Sequence, residues 1–266
     1  MSPRLRALFI VAGVALLAAA AVIAITLDTR QTPVQPHGLK GSPGVPKVLP
    51  TPAAAAIRAA YRSWPHGSLD AMLMLGREYP RDTVVQLYLG LALEWAGYGG
   101  DAVAPLRAAK RLGRNTSWEI QADNLLNPQY FPNYPLFTPQ HANALLVRGA
   151  VLQAQGHQHS AERLYLKAAA RDPGDDEAQV AAAVGRFDKE NLSASFSRLG
   201  PLTRRFPKSQ SVRFYLGLLL AWTGQRDTAV AEFQKTVALG KRTRLGVAAT
   251  QFLDKLANLA AASTGK

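Results

Sequence analysis

Two short clusters of polar side chains have the spacing that chemistry would need. His157 and His159 stand one residue apart in GHQHS and could offer two imidazoles to a metal ion. The carboxylates of residues 175–177 (DDE) could act together in general acid and base catalysis. No third metal ligand is evident near the histidines, and the carboxylates follow Pro173-Gly174 and precede an apolar stretch, as at the start of a helix. The sequence therefore predicts a solvated turn at the first cluster and a capped helix start at the second.

The rest of the chain offers no recognised reaction centre. It contains no cysteine, which excludes disulfides, thiolate metal sites and cysteine nucleophiles. No phosphate loop, dinucleotide fingerprint, zincin motif or nucleophile elbow is visible. We therefore expect a protein that is not an enzyme and has no catalytic residues, cofactor, metal or small-molecule substrate; an enzyme of unrecognised type is the third hypothesis. The formal net charge is +13, but many basic residues fall where helices should end, so nucleic acid is not an expected partner.

Residues 7–27, ALFIVAGVALLAAAAVIAITL, form a run of 21 uncharged positions. As a helix this segment would span about 31 Å, which matches the hydrocarbon thickness of a bilayer. It is longer than the apolar region of most cleaved signal peptides, although the alanines around 18–21 could suit a peptidase. The length favours an uncleaved transmembrane anchor, with a cleaved signal peptide as the main alternative and a buried helix of a soluble protein as the third.

The charges that flank the anchor predict its orientation. Arg4 and Arg6 precede it and Asp28 follows it, and positive residues tend to stay on the cytoplasmic side. Residues 1–6 would then be the cytoplasmic tail of a single-pass cell-membrane protein, and the chain after the anchor would lie outside the cytoplasm. Residues 28–52 are rich in proline and glycine and show no apolar periodicity, which predicts an extended linker.

A phrase near the middle of the chain recurs near its end. YLGLALEWAG returns 127 residues later as YLGLLLAWTG. Aligning the glycines of the two phrases, Gly90 and Gly217, shows a third copy at Gly149, which lies 68 residues before Gly217. Sixty-eight is twice 34, and apolar residues recur at three- and four-residue spacings from Ala53 onward. The sequence therefore predicts helices throughout, with a period of 34 residues.

This period resembles that of tetratricopeptide repeats (TPR), which are helical hairpins that stack on their neighbours. The family favours small residues at positions eight and twenty, a large apolar residue at twenty-four and often proline at thirty-two. In the copy around Gly149 these positions hold Gly149, Ala161, Tyr165 and Pro173. Weaker copies in the same register bring the number of repeats to five. They lie near 49–82, 83–114, 142–175, 176–209 and 210–242.

The resemblance implies an all-α fold, a right-handed solenoid of helical hairpins preceded by the single transmembrane helix. A first TPR block with one extra helix would cover residues 53–126, and a second block with a capping helix would cover residues 141–262. Between them, residues 127–140 form an uncharged loop with four prolines, two tyrosines and two phenylalanines. Such a loop is too aromatic for disorder, and it either packs on the array or binds a partner.

The resemblance also implies where a partner would bind. Tetratricopeptide arrays use a concave face lined by the first helix of each hairpin, and the pattern that clamps a peptide carboxylate in chaperone-binding members is absent here. We therefore expect an apolar helix or an extended segment of another protein as the ligand. The candidate partner-binding residues, on three first helices and in the aromatic loop, are Leu87, Leu91, Glu94, Trp95, Leu146, Gln153, Phe214, Leu218, Trp222, Tyr130, Phe131, Tyr134 and Phe137. Packing between hairpins is the alternative role for each of them.

Together these features predict a membrane-tethered, non-catalytic scaffold or adaptor for another protein, with its repeat domain outside the cytoplasm. Tethering would raise the local concentration of the partner at the membrane. A soluble tetratricopeptide binding protein, secreted after signal-peptide cleavage, is the alternative.

Overall fold

Helices account for the regular secondary structure of this chain wherever it can be described. The computed structural model describes residues 44–47, 49–130 and 132–264, with side chains as far as residue 258. Within these ranges are twelve α-helices and no strand, so the all-α expectation is confirmed there. The predicted tail, anchor and most of the linker (residues 1–43), together with Phe131, lie outside the described residues. No helix of the described ranges is long and apolar enough to span a membrane.

The chain divides into two compact units at the boundary between Pro128 and Gln129. Unit 1 has five of the described helices and unit 2 has seven. Those of unit 1 are α1 (Ala54–Arg62), α2 (Ser68–Glu78), α3 (Thr83–Trp95), α4 (Gly99–Leu112) and α5 (Ser117–Leu126). Those of unit 2 are α6 (Ala144–Ala154), α7 (Gln158–Arg171), α8 (Asp176–Val184), α9 (Leu192–Arg205), α10 (Gln210–Trp222), α11 (Arg226–Leu239) and α12 (Arg244–Thr264).

Each unit is built from helical hairpins followed by a closing helix. In unit 1, α1 packs on α2 and α3 packs on α4; in unit 2 the pairs are α6 with α7, α8 with α9, and α10 with α11. The closing helix α5 contacts both α4 and α3, and α12 contacts both α11 and α10 in the same way. Neighbouring hairpins of the same unit also touch, since α2 contacts α3, α7 contacts α8 and α9 contacts α10. Both units are therefore helical repeats.

Local sequence determines where the first helices begin and end. Asp82, Asn143 and Ser209 stand just before α3, α6 and α10, and their side chains accept hydrogen bonds from free amides of the first turn. Each of these hairpins turns at a glycine in the left-handed conformation, which glycine adopts without steric strain. These are Gly97, Gly156 and Gly224, with φ angles of 87°, 83° and 78°.

Small residues allow the two helices of a hairpin to approach closely, as the repeat register predicts. A Cβ atom added at Gly149 would lie 2.3 Å from Cε1 of Tyr165, far inside van der Waals contact. A Cβ atom added at Gly90 would lie 2.5 Å from Cγ of Leu106. Tyr165 and Leu106 are both buried. The pairing of a small residue at position eight with a large one at position twenty-four is therefore confirmed in both hairpins.

The first predicted repeat departs from this register. The register of the copy near 49–82 predicts Ala56 at position eight, where the two helices of the hairpin should approach closely. Ala56 is exposed, whereas Tyr61 is buried. The helix that carries them, α1, has only nine residues and ends before Pro65, which cannot continue it. The hydroxyl of Tyr61 donates a 2.7 Å hydrogen bond to the backbone oxygen of Tyr88. Tyr61, and not Ala56, is thus the residue that joins α1 to α3.

Replacing Gly149 by alanine is expected to destabilise the protein. The added methyl group would have to displace the ring of Tyr165, and overpacking of this kind costs about 1–3 kcal/mol. Gly100→Ala is the control, because nothing lies within 4 Å of the Cβ atom it would add. The control should leave stability unchanged or raise it by less than about 1 kcal/mol, since alanine favours helix. Urea unfolding followed by circular dichroism measures both variants, and equal midpoints would contradict the close approach.

Candidate functional site

An extended segment lies against the helices of unit 2. Residues 132–141, PNYPLFTPQH, form neither helix nor strand and are called the strap below. Hydrogen bonds connect the strap to α6, α8 and α10, and to the start of α12. The first three of these are the first helices of the three hairpins of unit 2. The surface that they form beneath the strap is called the inner face of unit 2.

Gln153 and Tyr215 bind the middle of the strap through its backbone. The amide of Phe137 donates to Oε1 of Gln153 at 2.8 Å, and Nε2 of Gln153 donates to the carbonyl of Pro135 at 3.1 Å. The amide of Thr138 donates to the hydroxyl of Tyr215 at 2.6 Å. Gln153 is 2% exposed and Tyr215 is 1% exposed. The two hydrogen bonds of Gln153 are therefore shielded from water, which strengthens them, whereas the bond between Thr138 and Tyr215 is part-buried.

Glu177 binds the end of the strap with both of its carboxylate oxygens. Oε1 accepts from the amide of Gln140 at 2.8 Å, and Oε2 accepts from the amide of His141 at 3.2 Å. The imidazole Nδ1 of His141 lies 3.0 Å from the same Oε2. Residue 139 is a proline and has no N–H group, so every backbone N–H between residues 137 and 141 is bound by a helix side chain. This matters because a buried carboxylate and a buried amide each need a partner.

Two further donors bind carbonyl groups of the strap near the solvent. The indole Nε1 of Trp222 donates to the backbone oxygen of Asn133 at 3.3 Å. The guanidinium of Arg244 donates to the backbone oxygen of Pro139 at 3.4 Å. Arg244 is exposed and Trp222 is half-buried, so these bonds contribute less than the buried ones.

The aromatic side chains of the strap pack into unit 2. The ring of Phe137 is 2% exposed and lies between the rings of Tyr165 and Tyr215, with centroid distances of 5.5 and 5.2 Å. The ring of Tyr134 lies 6.0 Å from that of Phe187 in an edge-to-face arrangement. Edge-to-face and offset contacts of this kind are favourable between aromatic rings. Tyr134 and Phe137 therefore pack against other residues of unit 2 in this structure.

Burial raises the pKa of the Tyr165 and Tyr215 phenols above the ordinary tyrosine value. For Tyr215, the hydrogen bond from Thr138 acts in the opposite direction without offsetting the burial. Both phenols therefore stay protonated at neutral pH. The hydroxyl of Tyr165 donates to Oε1 of Gln153 at 3.1 Å, so the same oxygen receives Tyr165 and the amide of Phe137.

The four candidate residues of α3 belong to unit 1. Leu87, Leu91 and Trp95 are buried and form part of its hydrophobic core cluster. The indole Nε1 of Trp95 is buried without a hydrogen-bond partner. Glu94 is partly exposed, and burial raises the pKa of its carboxyl. Three of these four side chains are thus covered in this structure.

The candidate residues of unit 2 separate into two groups. Those buried among the helices are Leu146, Phe214 and Leu218. Those that meet at the strap are Gln153, Trp222, Tyr134 and Phe137. Tyr130, which precedes the strap, is partly exposed, and Phe131 lies outside the described residues.

In both polar clusters singled out in the sequence, the histidines and the carboxylates, side chains contact other residues of the chain. Asp175 caps α8 by accepting a hydrogen bond from the amide of Ala178, as predicted. Glu177 was expected to cap the same helix and instead binds the strap, because its side chain lies in the buried space under residues 140 and 141. His159 lies 3.8 Å from Glu162. No group of three or more potential metal ligands occurs within the described residues.

Sequence reasoning did not find Glu177, Tyr215 or Arg244. A carboxylate in the first turn of a helix is common, so the sequence predicted a helix cap at Glu177 and not a contact with the strap. Tyr215 begins the recurring phrase, but so does Tyr88, so the phrase alone does not single out Tyr215. The bond between Thr138 and Tyr215 joins residues 77 positions apart, beyond the reach of any spacing pattern.

Replacing Glu177 by glutamine is expected to loosen the end of the strap. A carboxamide has one acceptor oxygen in place of two, so one strap amide loses its partner. A hydrogen bond to a charged acceptor contributes about 1.5–3 kcal/mol, which corresponds to roughly 10- to 100-fold faster amide exchange by local opening. Hydrogen exchange read by mass spectrometry over residues 137–141 measures the effect. Asp176→Asn is the matched control at the start of the same helix and should not change strap exchange; equal protection in Glu177→Gln and the wild type would refute the role of Glu177.

Comparison with known proteins does not assign this chain to a family. No protein-family model matches the chain, and no curated protein matches its sequence. Function is therefore inferred from the chemistry of the strap and the helices that bind it.

Proposed function

We propose that this chain is a non-catalytic, membrane-tethered scaffold that binds another protein through the inner face of unit 2. In this proposal the hairpins are of the tetratricopeptide type and follow a right-handed solenoid, and residues 7–27 are the membrane anchor. The partner contributes an extended segment with an aromatic side chain. This segment takes the place of the strap.

The observation that carries the proposal is the way in which the helices bind the strap. Gln153, Glu177 and Tyr215 bind backbone amides of the strap, and hydrogen bonds of this kind can form with many extended sequences. Among these three residues, Glu177 also lies close to a polar side chain of the strap, with Oε2 3.0 Å from Nδ1 of His141. The space between Tyr165 and Tyr215 accepts one flat ring, which adds a preference for an aromatic residue. A surface with these two features supports recognition of an extended peptide segment.

The strap competes with any partner because it belongs to the same chain. Only residues 142 and 143 separate its end from α6. Short connections produce effective concentrations in the millimolar range, so a partner must bind more strongly than this internal competitor or meet the strap when it opens. The strap therefore sets the threshold of affinity at the inner face.

A labelled peptide of the strap sequence, residues 129–142, should bind in trans once the strap itself is released. The variant Phe137→Ala/Thr138→Pro removes the ring from between the two tyrosines and the amide bound by Tyr215, and it leaves the helix side chains unchanged. Fluorescence anisotropy should give a dissociation constant of roughly 1–100 µM for this variant and at least about tenfold weaker binding to the wild type.

The control for this experiment adds Glu177→Gln to the released variant, which should weaken binding about tenfold because an acceptor is lost. Circular dichroism establishes that the variants are folded. A folded released variant that does not bind the peptide would argue against a peptide-binding inner face. Hydrogen exchange of the wild type is a second readout: strap amides that exchange only on global unfolding would exclude displacement by a partner.

The membrane attachment is supported by the length of the apolar segment and the proline-rich linker that follows it. In cells expressing a carboxy-terminally tagged chain, we expect the protein to remain in the membrane fraction after carbonate extraction, with the mass of the 28.6 kDa chain plus the tag. The control Val14→Arg/Leu17→Arg places two charges in the segment and should release the protein. A mature amino terminus near residue 20–30 would count against the anchor and in favour of a secreted binding protein.

A further inference from the structure

Unit 2 carries a positive charge that is not balanced by acidic residues. Between residues 129 and 264 there are 17 Lys and Arg against 10 Asp and Glu, a net charge of +7, whereas residues 49–128 contain 8 against 7. The excess is concentrated on α7 and α9, the second helices of two neighbouring hairpins. α9 has no acidic residue, and α7 has only Glu162. The basic residues exposed on these two helices are Arg163, Lys167, Arg171, Arg198, Arg204 and Arg205.

A cleft of about 240 Å³ is lined by side chains of α7, α9 and the helix α8 that packs on both. Two arginines, Arg186 and Arg198, contribute to its lining. Most of the remaining lining is aliphatic: Leu166, Ala169, Ala182, Ala183 and Leu202. The cleft thus combines guanidinium groups with an apolar surface in one small volume.

The two arginines differ in how their charge is compensated. Nε of Arg186 donates to Oε1 of Glu162 in an ion pair. Arg198 makes no hydrogen bond or ion pair with any residue in the described part of the chain. Partial burial and the charge of Arg186 lower the pKa of Arg198, while Glu162 acts in the opposite direction. The three side chains together keep one uncompensated positive charge at the cleft.

We propose that this cleft is a docking site for an acidic segment of a partner protein, which places one aliphatic side chain between α7 and α9 and a carboxylate on Arg198. The volume is below that of most cofactor or drug-sized sites and suits a single side chain. A guanidinium binds a carboxylate through two parallel hydrogen bonds, which gives the contact direction as well as energy.

Other anionic ligands match only part of this site. A small inorganic anion would pair with Arg198 but leave the aliphatic lining exposed to water. A flat anionic membrane would reach the exposed side chains of Arg163, Lys167 and Arg198 but would leave the aliphatic lining between α7 and α9 unfilled. An acidic and aliphatic protein segment satisfies both features at once.

This docking site goes beyond the function proposed for the inner face. The strap contacts the first helices of the hairpins through Gln153, Glu177 and Tyr215, and none of these residues lines the cleft. Failure of peptide binding at the inner face would therefore leave the docking site standing, and the reverse also holds.

The test uses the full chain in mild detergent and a labelled probe peptide with the sequence EELLEE. Fluorescence anisotropy at low salt should show saturable binding, which Arg198→Ala weakens about tenfold and Arg198→Lys weakens less. Ala169→Leu should weaken binding without changing the charge, because the larger side chain fills the cleft. Arg242→Ala, an equal loss of charge in the exposed turn after α11, is the matched control and should change affinity by less than about twofold.

Four results would overturn the proposal. The first is the absence of saturable peptide binding. The second is equal weakening by Arg198→Ala and Arg242→Ala. The third is unchanged binding by Ala169→Leu, which would mean that charge alone attracts the peptide. The fourth is Arg198-dependent binding to vesicles of phosphatidylcholine and phosphatidylserine without binding of the peptide, which would assign the surface to a membrane.

Discussion

The ring of Tyr165, packed against Gly149, is the contact on which the rest of unit 2 depends. Because Gly149 has no side chain, α6 and α7 approach closely enough for the ring to fill the space between them. The ring also packs against the next hairpin, since a Cβ atom added at Gly185 would lie 2.7 Å from Cδ2 of Tyr165. Its hydroxyl donates to Gln153, and its ring contacts that of Phe137. One side chain thus joins two hairpins and positions the residues that bind the strap.

The strap can be buried only because its backbone N–H groups find partners. Those partners, Gln153, Glu177 and Tyr215, come from three different hairpins. No single hairpin could bind the segment, so the binding surface is a property of the stack, as expected for a repeat protein. The second helices α7 and α9, together with α8, line a separate cleft in which arginines and aliphatic side chains predominate. A stack of similar hairpins can therefore present two surfaces of different chemistry.

The two copies of the recurring phrase show how similar sequences acquire different roles. Trp95 and Trp222 occupy equivalent positions, yet the indole N–H of Trp95 has no partner, whereas that of Trp222 donates to the strap. Tyr88 offers its backbone oxygen to a neighbouring helix, whereas Tyr215 offers its hydroxyl to the strap. The helix-forming pattern is the same in both copies. The difference in role comes from the strap, which lies in unit 2.

Much of the fold could be read from the chain because helix ends, glycine turns and hairpin contacts repeat within about 34 residues. This reasoning located Gly149 and Tyr165 and failed at Ala56, where a short helix changes the register. The contacts of the strap could not be predicted in this way, because its hydrogen bonds join residues up to 105 positions apart. The sequence by itself determined which segments form helices, which helices pair in hairpins, and that an aromatic segment separates the two blocks of repeats. Only the tertiary structure decided that this segment lies on the inner face of unit 2, because its binding groups come together only when the hairpins stack.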